Sequence, residues 1–200
     1  MPRVKYADLF NLLRNSSFFT FRSLAQLTGE KYASFLISKW KRERRIIRLA
    51  KGVYSFQKSP FLLAKVLPLA YVGLGSAAFL HGAWNQATRI TILTPLAARY
   101  IRHGEREIGG FKVVVRKITS KLYFGYTLFY LEDVNEWIRI SDIEKTIIDL
   151  IYFSYPFASE ILPGLFEKAN KARLRSYLKL MGRRKVKGWK RVASLIEENF

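Results

Sequence analysis

Catalysis needs carboxylates, imidazoles, thiolates or an activated hydroxyl held at short range, and this 200-residue chain holds few such sets. The run Val72-Gly-Leu-Gly-Ser76, followed by a helix and by Arg89-Ile-Thr-Ile, has the order of a glycine-serine turn that could cradle a triphosphate. Nucleotidyl transfer also needs two carboxylates on the following strand to hold divalent metals. Residues 89–93 carry no acid, so a glycine-framed helix packed tightly on a sheet explains the pattern better. His81 and His103 are the two histidines, without HExxH spacing, and no cysteine is present to complete a zinc site. His81 reads as a core or interface residue. Asp142, Glu144 and Asp149 share a helix, where capping and pairing with Lys145 account for them. Glu132, Asp133 and Glu136 form a solvated acidic loop. The chain reads as a non-enzyme, with no catalytic residue, no metal ligand and no cofactor.

Phosphate and base recognition is a different chemistry, and here the residues are plentiful. Lys31, Ser34, Ser38, Lys41, Arg42 and Arg45 fall on one side when 31–45 is turned as a helix at about 100° per residue. Tyr32, Ala33, Leu36 and Trp40 fall on the other, as a core face, with Phe35 and Ile37 on the borders. Small serines in the first turns let a helix sit deep in a major groove. Lysines and arginines farther along suit phosphates. Arg48 and Lys51 follow a few residues later. The bland alternative is a solvated basic face on an ordinary surface helix; the adjoining basic hairpin favours DNA.

The elements that must position these groups lie in residues 19–56. Thr20 is a good N-cap, and Phe21, Leu24 and Leu27 recur at helical spacing. Thr28-Gly29-Glu30 breaks that helix. The helix over 31–45 follows. Residues 46–49 and 53–56 are β-prone runs separated by Ala50-Lys51-Gly52. Helix, turn, helix and hairpin in that order predict a winged helix-turn-helix, completed by a first helix over 6–13 with Leu9, Phe10 and Leu13 inward.

Charge agrees. Thirty-five Lys and Arg against 15 acids leave a net +20. Residues 1–60 hold 13 basic and 3 acidic side chains, residues 61–163 hold 11 and 9, and residues 164–200 hold 11 and 3. Two cationic end segments flanking a near-neutral middle suit a body that presents basic surfaces to a polyanion. Lack of cysteine fits a reducing, cytoplasmic setting. The N-terminus MPRVKYADLF lacks the apolar core of a cleavable signal. Residues 66–88 carry no formal charge and are long enough to span a bilayer. However, Pro68, Gly73, Gly75, His81, Gly82, Asn85 and Gln86 suit a strand, turn and helix of a globular core.

Ser59-Pro60 marks a boundary between domains 1–58 and 59–200, since Pro at the first turn starts a helix over 61–67. Strands are expected over 70–74, 89–93, 111–116, 125–131 and 137–140, with Gly109-Gly110 at a hairpin tip and a helix over 75–82. Ser141-Asp-Ile-Glu144 has the form of a capping box opening a helix to about residue 153. Beyond Pro156 the pattern is helical, broken near Gly164, at Asn170 and over 182–188. In 173–191, nine basic residues mix with Leu174, Tyr177, Leu178 and Leu180, either as a wet helix face or as a second phosphate-contacting surface. The fold class expected is α+β: a winged helix-turn-helix, then a mixed α/β domain with a basic helical tail.

Three segments in order, IIRLAKGVYSF, AYVGLGSAAFLHGAW and RISDIEKTIIDLI, resemble the AbiEi family of antitoxins over about residues 5–155. The resemblance implies a transcriptional regulator with an N-terminal winged helix and a C-terminal antitoxin domain, paired with a nucleotidyltransferase-like toxin. It implies repression of its own operon through inverted repeats. By position it carries DNA contact to Lys31, Ser34, Ser38, Lys41 and Arg42, with Arg48 and Lys51 in the wing. The partners expected are therefore double-stranded DNA, such a toxin, and a second copy of the chain to match repeated half-sites; no membrane partner is expected. The other reading is a toxin-neutralising module whose basic surface meets an acidic protein or RNA.

Overall fold

A computed structural model describes residues 6–86, 89–96 and 101–198. Two of the expectations above, the character of the first five residues and the last two of the uncharged stretch 66–88, lie outside the described residues. The chain is α+β, with helices and, among the described residues, two sheets that contain antiparallel pairs.

The first unit has α1 (Tyr6–Arg14), β1 (Phe19–Thr20), α2 (Phe21–Thr28), α3 (Glu30–Arg42), β2 (Ile47–Ala50) and β3 (Val53–Ser55). Thr20 caps α2 as expected: its hydroxyl accepts from the Ser23 amide at 3.0 Å, and the Ser23 hydroxyl accepts from the Thr20 amide. Such a cap is worth about 1 kcal/mol. Gly29, at φ +86°, takes the backbone through the turn between α2 and α3. Leu9, Leu13, Leu24, Ala33, Leu36, Ile37 and Trp40 form one core with Phe19 and Ile46. Trp40 is fully buried, with the rings of Phe19 and Phe56 6.0 and 5.0 Å away.

Helix α3 ends three residues earlier than its pattern predicts. Arg44 takes the left-handed conformation at φ 53°. The Arg45 amide then donates to Trp40 O at 2.8 Å and the Arg44 amide to Lys41 O at 3.0 Å. These two bonds close the helix end by satisfying carbonyls that would otherwise be orphaned.

Strands β1, β3 and β2 form a three-stranded antiparallel sheet in that order. Its two faces serve different cores. Phe19 and Tyr54, paired across β1 and β3, face the helices, whereas Ile47 and Leu49 of β2 join the core of the second unit. The unpredicted strand β1 arises because Phe19 must be buried against Trp40 beside β3.

The second unit holds α4 (Leu63–Val66), β4 (Tyr71–Val72), α5 (Gly75–Leu80), β5 (Ile90–Thr94), β6 (Gly104–Ile108), β7 (Phe111–Lys117), β8 (Tyr126–Leu131), β9 (Glu136–Ser141) and α6 (Ile143–Tyr152). A 3₁₀ turn at Pro60–Leu62 precedes α4, so only 63–66 of the expected helix over 61–67 is α-helical. The six-stranded mixed sheet runs β6-β7-β5-β4-β9-β8. Gly109 and Gly110 form the tip of the β6–β7 hairpin, where Ile108 pairs with Phe111. Charged Glu105, Arg106 and Glu107 disguise β6 as a loop in the sequence.

The tail is α7 (Ala158–Lys168), α8 (Lys171–Arg183) and α9 (Trp189–Glu197). No break occurs at Gly164; α7 runs through Pro163 and Gly164, whose bare backbone lies against Ala83. Asn170 does start α8, its side-chain oxygen accepting from the Arg173 amide at 3.0 Å. Leu174, Leu178, Met181, Val186, Val192 and Ile196 share a core with α6. Helices α8 and α9 are thus part of the body rather than an appendage. Among the described residues, no helix is long and apolar enough to cross a membrane. The apolar stretch from residue 66 is divided among the end of α4, β4 and α5.

Candidate nucleic-acid interface

Lys31, Ser34, Ser38, Lys41 and Arg42 are all exposed on α3, opposite Ala33, Leu36, Ile37 and Trp40. The chain lays nothing over this face among the described residues. Two border assignments need correction. Ile37 is only 6% exposed and belongs to the core. Phe35 is 55% exposed, and Tyr32, expected to face inward, is 45% exposed. Their rings stack at 5.9 Å and 17° on the outside of the helix. The reason is volume: Leu36, Ile37 and Trp40 already fill the space behind α3, leaving no room for a further ring.

Arg45 separates from the set. Because α3 stops at Arg42, its guanidinium turns to Glu43, with Nε 3.0 Å from Oε2, and lies 5.6 Å from the Phe10 ring centroid. There it lines a cleft of about 460 Å³ with Arg14, Arg44 and Lys58.

Arg48 and Lys51 are exposed on the hairpin, as expected. Arg48 Nε donates to Ala50 O at 3.3 Å across the register shift between Arg48 and Ala50. The hairpin turn is tied to the helices, since the Phe21 amide donates to Gly52 O at 2.8 Å. Arg48 and Lys51 line a cleft of about 480 Å³ together with Arg102 and Arg106 from the start and middle of the β6 region. Sequence reasoning missed Arg102 and Arg106, since only the docking of β2 beside β6 brings them to the hairpin. Burial lowers the Arg106 guanidinium pKa from its usual value, though it stays charged at any ordinary pH. Phe35 was accessible in principle: about 40° from Lys31 on the wheel, it falls inside the polar face.

The remaining sets of polar residues are structural in geometry. Ser76 Oγ donates to Arg89 O and accepts from the Thr91 amide, both at 2.8 Å, tying α5 to β5. A Cβ on Gly75 would stand 2.6 Å from Tyr155 Oη and 2.7 Å from Trp84 Cζ3, so the glycine permits close packing. His81 Nε2 lies 2.7 Å from Ser141 O. The helix cap is Asp142 rather than Ser141: its carboxylate accepts from the Lys145 amide at 2.8 Å and from Tyr177 Oη at 2.6 Å. Glu144 reaches instead to the Asn170 amide at 2.7 Å. Lys145 and Asp149 form an ion pair with no solvent exposure, and Tyr71 Oη donates to Asp149 at 3.0 Å. Burial pushes the Lys145 ammonium down and the Asp149 carboxyl up, each towards its neutral form. Among the described residues, no cluster of three or more His, Cys, Asp and Glu could hold a metal.

Two tail arginines are committed to the fold. Arg191 donates to Ile151 O and Tyr152 O at 3.2 Å, at the C-terminal end of α6. Arg184 donates to Lys121 O at 3.2 Å and lies 5.5 Å from the Phe124 ring centroid. Lys171, Arg175, Lys179 and Arg183 form one ridge of α8 beside a cleft of about 690 Å³, floored by Leu174, Leu178, Trp189, Ala193 and Ile196.

No family model and no curated protein matches the chain. Among solved structures, it is similar to the crystal structure of the RV2827C protein from Mycobacterium tuberculosis. The identity is 17%, with 94% of this chain and 74% of that chain covered and a TM-score of 0.54. At that identity the likeness concerns the fold alone.

Proposed function

We propose that the chain is a sequence-specific DNA-binding regulator of the AbiEi antitoxin type, whose first unit is a winged helix-turn-helix acting on its own operon. One observation carries the reading: the whole outer face of α3, with Lys31, Ser34, Ser38, Lys41 and Arg42, is exposed and uncovered beside a hairpin bearing Arg48 and Lys51. An α-helix of 13 residues is about 20 Å long and fits a major groove about 12 Å wide. In this reading Lys31, Ser34 and Ser38 meet base edges, while Lys41, Arg42, Arg48 and Lys51 meet phosphates. Arg45, engaged by Glu43, is a weaker anchor.

The test is equilibrium binding to a duplex from upstream of the gene and to a scrambled duplex, across a salt series. Preference for the upstream duplex by about a hundredfold or more is expected. Lys41→Ala with Arg42→Ala should weaken both duplexes alike and lower the salt slope by about 2. Equal affinity for the two duplexes would remove operator recognition.

A second reading, a protein-interaction module, is favoured by the cleft between α8 and α9. Its apolar floor beside four cations suits an acidic amphipathic segment, such as one on a toxin partner. Stable co-purification with a neighbouring gene product without DNA, abolished by Lys179→Glu with Arg183→Glu, would support it.

A further inference from the structure

Helix α3 carries two exposed rings on its outer side. Tyr32 and Phe35 are one turn apart, stacked, and about half exposed. Around the helix axis Phe35 lies within about 60° of Lys31, Ser38 and Arg42. It therefore stands inside the cationic face rather than at its margin. Single exposed aromatics are ordinary, but a stacked pair among cations presents an apolar contact to an anionic partner. Stacking also limits the freedom of both rings, so a contact made by Phe35 costs little further ordering.

In a major groove the apolar group within reach of a helix is the 5-methyl of thymine. Resting on the DNA-binding reading above, we infer that Phe35 reads a thymine methyl in the operator half-site and that Tyr32 positions its ring. Ser34 and Ser38 flank Phe35 on the helix and leave space for the ring to reach the base edge. The specificity this adds is for T over C at that step: cytosine lacks the methyl and places an amino donor nearby.

Deoxyuridine differs from thymidine only by that methyl, and it keeps the same base pairing. The experiment takes the footprinted upstream duplex and replaces each protected thymine singly with deoxyuridine. Wild-type protein should lose about fourfold in affinity at one or two positions, the worth of one buried methyl. Phe35→Ala should bind the all-thymine duplex more weakly and be indifferent to deoxyuridine at those positions. Tyr32→Ala should show a reduced penalty there. Both rings lie on the surface, so circular dichroism of these variants should match wild type.

Wild-type indifference to every substitution would overturn the inference while leaving DNA binding intact. So would a deoxyuridine penalty that persists in Phe35→Ala. If the variants bind DNA normally but lose a dimer seen by sedimentation without DNA, the rings are a self-association surface and the inference fails. Equal binding of upstream and scrambled duplexes would sink this inference and the underlying reading together.

Discussion

Lys145 and Asp149 are four apart on α6, and their spacing pairs them without saying whether the pair meets solvent. They are fully enclosed, with the ammonium 5.1 Å from the Phe124 ring centroid and 5.5 Å from that of Tyr71. Periodicity places both on α6 but cannot say that α8 and the 122–126 segment cover them. Loss of one partner leaves the other buried and uncompensated. Lys145→Met should therefore destabilise the protein by about 3–5 kcal/mol in urea unfolding. Lys145→Met with Asp149→Asn should be less damaging than the two single changes added together. Strictly additive losses would show that the two groups do not act as a pair. A neighbouring assignment failed for a related reason: Ser141 and Asp142 can both cap a helix, and the Ser141 hydroxyl is taken by Thr146 at 2.7 Å.

At the scale of elements, β2 and the β6–β7 hairpin meet at Ile47 and Gly109. A Cβ on Gly109 would stand 2.9 Å from Ile47 Cγ2, so the body hairpin's tip sits directly on the basic hairpin. That contact places Arg102 and Arg106 beside Arg48 and Lys51. Phosphate binding by the hairpin should then extend onto the body. Arg102→Ala, an exposed change, should weaken duplex binding and lower the salt slope by about 0.9. Fluorescence anisotropy across a salt series reads both, and an unchanged slope would confine DNA contact to the first unit. The existence and order of α1, α2, α3 and the hairpin were legible because caps, a turn glycine and two β-prone runs are local signals. β6 was not, since its exposed charges match those of a loop.

Across the whole molecule, Glu136 of β9 joins the two units. Ser17, in the loop before β1, donates to its carboxylate, and Lys65 of α4 pairs with it. Burial alone would raise the Glu136 carboxyl, but the bonds from Lys65 and Ser17 outweigh it and hold the pKa below the usual glutamate value. A carboxyl depressed on folding stabilises the native state above its unfolded pKa, and that stability fades as pH falls through the lower folded value. Both side chains are partly exposed, so the contribution is about 1 kcal/mol at most. Glu136→Gln should lower Tm at pH 7 and lose less than wild type between pH 5 and pH 3. Parallel acid losses in the two proteins would show that the junction does not titrate. The tail behaves at this scale too. Removing residues 183–200 would open the core at Val186, Val192 and Ile196, so its charges are better tested by substitution than by deletion.

By itself the sequence determined an α+β chain, the amphipathic helix α3 and the exposed cations Lys31, Lys41, Arg42, Arg48 and Lys51, because each follows from spacing within a dozen residues. Tertiary structure decided the rest. It decided that Tyr32 turns outward, since Leu36, Ile37 and Trp40 had filled the core. It decided that Arg45 leaves the helix, that Arg102 and Arg106 join the hairpin, and that Arg184 and Arg191 serve the fold. The last two depend on which distant surface covers which face, and contacts such as Arg184 to Lys121 or Arg191 to Ile151 leave no periodicity to read.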